Sequence, residues 1–348
     1  MKKLLALVLA LTMVFALCAC GQKAAPAASE APAEKPAEAA PAEDAKTYEP
    51  MAFKYSCAEG VNSVVVANVT AALEKVTEYT GGAYTFEIFP DNQLGSITDV
   101  QESVFAGAPI IESVGFDQLG DIVPAFAPAS FPYMYKDIYE VYDLAESEWM
   151  NDLQSDFAAA GIHTIALGAN GYRHFISTKP INDAASVKGM IIRMGPSSAA
   201  QGFIKVMGGT PTTSTWGDNY SLLQTGTFDA CEANLEALWN GSFYEVCDYL
   251  SLTGHFVTPC ALIINNDIWN SIPADVQEVL AQALSEGLRG ATDAAMENEA
   301  GYIEKFKEAG VEVIEPDKDS FAACVPALFE ELNVDTAIYD EIRAAIEK

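Results

Sequence analysis

The sequence predicts an α/β fold in two lobes braced by one long helix, and three observations carry that prediction. Past Tyr48, short apolar runs alternate with stretches of helical period, the pattern of strands joined through helices. The 348 residues are enough for two domains of ordinary size. After Pro273 no proline interrupts the chain as far as Gly310, while Val276, Leu280, Leu284, Leu288, Ala291, Ala295 and Tyr302 recur at helical intervals. At the rise of an α-helix that stretch would run roughly 55 Å, longer than one domain is wide, so it can brace both lobes.

The elements follow in order. Residues 52–57 alternate like a strand, and 62–79 carry a helical pattern that stops at Gly81-Gly82. Residues 84–89 form a second strand, ended by Pro90, and Ser96 with Asp99 makes a capping box for a helix that closes near Gly107. A third strand, 109–114, completes two βαβ units, whose strands lie parallel with their C-terminal ends on one edge. One helical stretch is expected over 136–160, then a strand at 163–167, and after it shorter strands closer together. No change of composition marks a linker between lobes.

The N-terminus is of a different kind. Lys2 and Lys3 precede an apolar run from Leu4 to Leu17, too short to span a bilayer and ordered like a secretory signal. Leu17-Cys18-Ala19-Cys20 resembles a bacterial lipobox, which implies cleavage before Cys20 and lipidation of that residue; Cys18 departs from the usual small residue. A plain cleaved signal and an uncleaved anchor are the alternatives. Residues 21–49, nearly all Ala, Pro, Glu and Lys, read as an extended solvated tether. The chain holds 49 acidic against 19 basic side chains, a net charge of −30, and almost all of that excess belongs to the folded body. Such a body is repelled by nucleic acid and by anionic membrane surfaces over about 8 Å at physiological salt, so neither is an expected partner.

Five cysteines remain beyond the signal, Cys57, Cys231, Cys247, Cys260 and Cys324, with no C-x-x-C pair, and His163, His174 and His255 are scattered. No metal site is expected, and an odd count leaves at least one thiol free, with buried single thiols the expected state. A G-x-S-x-G elbow, H-E-x-x-H, a P-loop and a strand-borne G-x-G-x-x-G are all missing. Binding is therefore expected rather than catalysis, with no cofactor.

Arginine is scarce: Arg173, Arg193, Arg289 and Arg343 are all there are. Arg173 in Gly-Tyr-Arg-His-Phe and Arg193 in Met-Ile-Ile-Arg-Met sit among apolar strand-like residues, where a lone charge is costly unless paired. Each either bonds an internal carboxylate or carbonyl, or offers its planar fork to a ligand carboxylate through two charge-assisted hydrogen bonds.

The run Phe89-Pro90-Asp91-Asn92-Gln93-Leu94-Gly95-Ser96, then Gly171-Tyr172-Arg173, Val187-Lys188-Gly189-Met190-Ile191-Ile192-Arg193, Leu222-Leu223-Gln224-Thr225-Gly226-Thr227-Phe228-Asp229 and the stretch from Tyr244 to His255 resembles the solute receptors of tripartite ATP-independent periplasmic (TRAP) transporters. These motifs fall in family order across nearly the whole mature chain. The resemblance implies a periplasmic-binding-protein-like fold with a ligand cleft between the lobes, closing on a small organic acid and delivering it to the membrane permease subunits, with no nucleotide needed by the receptor.

Carried over position by position, the resemblance gives Arg193 the grip on the ligand carboxylate, Arg173 a second place in the cleft, Trp216 an aromatic face against the ligand and Glu112 a contact to ligand hydroxyls. Where the family reads Glu-Asn-Pro, this chain has Glu232-Ala233-Asn234-Leu235, which shifts the usual asparagine to Asn234 or loses it; a helix cap is the plain alternative for that residue. Expected boundaries are a signal at 1–20, the tether at 21–49, lobe I at 50–170 with a return at 258–290, and lobe II at 171–257 with a return at 291–348. The expected location is the outer face of the cytoplasmic membrane, held by the lipid alone. A receptor for an ATP-driven importer is the closest rival, with a surface hydrolase or lyase and a structural lipoprotein further off. The reading requires both guanidinium groups to face the cleft, uncommitted to internal acids.

Overall fold

The computed structural model describes residues 46–195 and 197–347. The signal segment, Cys20 and the tether up to residue 45 lie outside them. The chain from Lys46 forms one unit, built on a single nine-stranded sheet of order β2-β1-β3-β8-β4-β7-β5-β6, with β9 beside β8.

Strands β1 (Met51–Ser56), β2 (Tyr84–Phe89) and β3 (Ile110–Gly115) pair in parallel as β2-β1-β3, the arrangement two successive βαβ units impose. The first crossover helix, Val64–Tyr79, begins where the Ser63 hydroxyl accepts from the Val66 amide and ends before Gly81 and Gly82, whose φ of 62° and 86° lie in the left-handed region that glycine adopts without a Cβ clash. The second, Ile97–Phe105, opens on the expected capping box: Ser96 Oγ accepts from the Asp99 amide at 3.3 Å and Asp99 Oδ2 from the Ser96 amide at 3.0 Å.

Two expectations need correction. The helical stretch over 136–160 is two helices, Glu140–Ala145 and Glu148–Ala159, because the Ser147 hydroxyl caps the second by accepting from the Met150 amide at 3.1 Å. The strand expected at 163–167 is β4 (Ile162–Ser177), and it runs antiparallel to an equally long β8 (Tyr249–Asn265). Register shifts at Thr164/Ala166, Ala169/Tyr172 and Arg173/Phe175 break the period of two, which hides one long strand behind several short patterns. The remaining strands, β5 (Ile191–Arg193), β6 (Thr210–Thr212), β7 (Ala230–Asn234) and β9 (Glu312–Ile314), are short.

Strands β4 and β8 run through both lobes. Their Ile162, Leu167, Ala261 and Ile263 lie in a core with Val114 and Phe116, while Phe175 and Phe256 share another with Ile192 and Phe203. The long helix is Ala274–Glu308, 35 residues and about 52 Å at the standard rise. Its Val276, Leu280, Leu284 and Leu288 pack with Phe53, Tyr55 and Val69, and its Phe306 packs with Ile176 and Leu238, so one rigid element touches both halves. Cys57, Cys231, Cys247 and Cys260 are buried free thiols and Cys324 is a half-buried one. Among the described residues no group of His, Cys, Asp and Glu is arranged to hold a metal ion.

Candidate functional site

A cleft of about 920 Å³, open to solvent, is walled by the C-terminal ends of β1 and β3, the helix Phe116–Ile122, the middle of β4 and β8, β7, and the loop after β5. Strand C-termini converge here because parallel units place their connections on one edge. Its polar wall includes Glu59, Ser113, Asp117, Gln118, Arg173, Ser197 and Glu232.

Arg173 stands on β4 opposite Asn234 of β7, and Phe175 stands opposite Glu232. Arg173 and Glu232 are therefore diagonal neighbours on one face of the sheet, within reach of a long side chain. Arg173 uses that reach in full: Nε and Nη2 donate to the two carboxylate oxygens of Glu232, the second at 2.6 Å, and Nη2 also donates to the Glu232 carbonyl at 3.2 Å. Arg173 thus lines the cleft but is committed to an internal acid, which corrects the expectation of two free guanidinium groups. Its Nη1 donates to nothing among the described residues, and the side chain keeps 25% of its surface exposed. Behind Glu232, His255 Nε2 lies 3.8 Å from Oε2; burial first, then Arg173 and His174, push the His255 pKa well below the ordinary imidazole value, so the imidazole is neutral and Arg173 alone balances Glu232.

Arg193 ends β5. Its Nη2 donates to the Ser214 carbonyl at 3.1 Å, its guanidinium lies 5.3 Å from the Trp216 ring centre, and its buried Nε has no partner. No acid lies within ion-pair distance of it among the described residues. Trp216 is 40% exposed and packs edge-on against Phe243 at 5.3 Å. Neither Arg193 nor Trp216 belongs to the cleft wall, although Gly195, two residues on, does.

Asn234 and Glu112 stand off the cleft wall. Asn234 is a helix cap: Oδ1 accepts from the Ala237 amide and Nδ2 donates to the Asn170 carbonyl, both at 2.9 Å. It borders a separate crevice of about 350 Å³ shared with Tyr172, Glu299 and Tyr302. Glu112 is sealed inside β3, its Oε2 without a partner, and burial pushes its pKa up to about 8; the wall begins at its neighbour Ser113.

Three wall acids were not singled out as site residues from the sequence. Glu232 stood inside a quoted motif, but its pairing with Arg173 is set by strand register. Glu59 and Asp117 follow the C-terminal ends of β1 and β3, a position from which ligand contacts can be anticipated once the βαβ units are recognised. Burial raises the pKa of both. Asp117 Oδ2 accepts from Gln118 Nε2 at 3.0 Å, while Gln118 Oε1 accepts from the Gly115 amide at 2.6 Å.

Comparison with known proteins agrees with this architecture. The chain is 27% identical over 238 residues, 68% of its own length and 73% of the relative's, to the 2,3-diketo-L-gulonate-binding periplasmic protein of Escherichia coli. A TRAP periplasmic solute-binding protein of Actinobacillus succinogenes with bound L-galactonate superposes with a TM-score of 0.79 at 27% identity, covering 85% of this chain and 99% of that one. A second, from Desulfovibrio salexigens in complex with diglycerolphosphate, gives 0.80 at 27% identity, covering 86% and 97%. Residues 57–333 match the family described as bacterial extracellular solute-binding protein, family 7, and the chain belongs to that family of exported TRAP-type receptors, which are not enzymes.

Proposed function

We propose that the cleft closes on a small organic acid whose carboxylate is held by the free edge of Arg173 and, once closure brings it to the wall beside Gly195, by Arg193, and that the chain hands this ligand to the permease subunits of a TRAP transporter. The observation that carries the reading is the placement of Arg173: Glu232 fixes the guanidinium at the cleft wall and occupies Nε and Nη2, while Nη1 has no partner among the described residues. A fixed fork loses less entropy on binding than a mobile one. Arg193 contributes the second grip; its unpartnered Nε and its lack of an acid support that role, and the Trp216 ring, 5.3 Å from the guanidinium, helps hold it in place.

The bound sugar acid in a relative of similar fold supports a carboxylate ligand. The same likeness favours a TRAP permease over an ATP-driven importer as the receiving partner. Lipid attachment at Cys20 completes the proposal, supported by the basic-then-apolar leader and the Leu17-Cys18-Ala19-Cys20 sequence. The two lobes, taken as 50–170 with 258–290 and 171–257 with 291–348, would close by rotation about the β4–β8 crossings, with the long helix absorbing the movement.

A thermal-shift screen of carboxylic acids tests the reading. A ligand that binds only the folded chain raises the melting temperature with concentration. Absence of any shift across dicarboxylates, sugar acids, keto acids and aromatic acids would contradict it.

A further inference from the structure

We infer that the acid received by this cleft is a monocarboxylate with an apolar body, an aliphatic or aryl chain, rather than a polyhydroxy acid or a dicarboxylate; the inference rests on the receptor reading above. Most polar side chains of the wall are already engaged within the chain. Glu232 and Arg173 satisfy each other. Gln118 is used at both ends, by the Gly115 amide and by Asp117 Oδ2. Ser130 Oγ donates to the Ala127 carbonyl at 2.8 Å, Ser197 Oγ accepts from the Ala200 amide at 3.3 Å, and Thr258 Oγ1 and Glu59 Oε2 are closed off from solvent. Among the described residues, Ser113 carries the one wall hydroxyl that neither bonds within the chain nor is closed off.

The rest of the wall is apolar, and it comes from both cores. Val114 and Val257 belong to the core that holds Phe116, and Ile97 packs against it, whereas Phe256 and Ala200 belong to the core that holds Phe203. Closure therefore presses apolar faces from two sides onto whatever lies between them. An aliphatic or aryl chain gains by leaving water against such faces and asks for no hydrogen-bond partner. A hydroxyl removed from water without a partner loses affinity, and a polyhydroxy acid brings a row of them to a wall with few side-chain groups to spare. A second carboxylate would stand beside Glu59, Asp117 and Glu232, with Arg173, the only cation of the described wall, already balanced by Glu232.

The test is calorimetry on the whole protein with acids matched in carbon number: butanoate with succinate and threonate, hexanoate and isocaproate with adipate and gluconate, and phenylacetate with suberate. The tightest binder is expected to be a monocarboxylate with an apolar chain, ahead of its matched dicarboxylate and polyhydroxy acid by about tenfold or more and with a negative heat capacity of binding. Ile97→Thr and Val257→Thr, close in shape and checked for folding by their melting curves, should each weaken that acid by about threefold or more while leaving or tightening the polyhydroxy acid. A dicarboxylate or polyhydroxy acid as tightest binder, or a preference untouched by both substitutions, overturns the inference and leaves the acid-receptor reading standing. Failure of every acid in every set to bind overturns both.

Discussion

Glu232 and Glu112 are buried to nearly the same depth, 1% and 2% exposed, on strands of one sheet, and they behave differently. Glu232 meets the fork of Arg173 across the β4–β7 ladder. Glu112 has no cation beside it among the described residues and its Oε2 has no hydrogen-bond partner, and burial drives its pKa up to about 8. The same contrast separates the two arginines expected to act together: Arg173 is tied to an acid, whereas Arg193 has only a carbonyl and an indole face. Depth alone does not set a buried charge; the partner supplied by strand register does.

The largest expected effect comes from breaking the satisfied pair. Arg173→Ala leaves Glu232 charged and alone, and should cost about 3–5 kcal/mol in urea melts, part of it recovered by adding Glu232→Gln. A loss below about 1 kcal/mol would mean that the pair is not the buried unit described here. Next is the unsatisfied acid. Between its ordinary value of 4.5 and about 8 the folded chain holds a proton on Glu112 that the unfolded chain has released, so stability declines as pH rises across that window. Glu112→Gln should flatten the decline and stabilise the protein at pH 8 by on the order of 2 kcal/mol, read from melts at several pH values.

Binding effects sharpen the contrast between the arginines. Arg193→Ala leaves no acid unpaired, so it should lower ligand affinity by more than about tenfold while the fold survives. Unchanged affinity would remove Arg193 from the grip. The smallest effect is expected from Trp216→Ala, which frees the guanidinium of Arg193 and should weaken binding by about two- to fivefold in calorimetry, the worth of one exposed cation–π contact.

What the sequence made legible was local. The Ser96–Asp99 box, the Gly81-Gly82 stop and the parallel β1–β3 unit depend on residues a few positions apart or on one crossover, and they are present. The long helix was equally plain because its apolar period is sustained. Strand β4 is longer than its sequence pattern suggests because its bulges disturb the alternation that marks a strand. The Ser147 cap is hidden in the sequence because a helical pattern continues on both sides of it. The site was less legible than the fold. Arg173 and Glu232 are 59 residues apart, and only the pairing of β4 with β7 reveals that they touch. The family pattern made Asn234 a candidate ligand contact with a helix cap as the plain alternative, and its position at the start of a helix makes it a cap.

The most direct measurement of the central claim is calorimetry of one binding carboxylic acid beside its uncharged primary amide. A guanidinium grip predicts that the acid binds and that the amide loses about a hundredfold or more, because a buried charge-assisted fork is left without its anion. Equal affinity for the acid and the amide would contradict it.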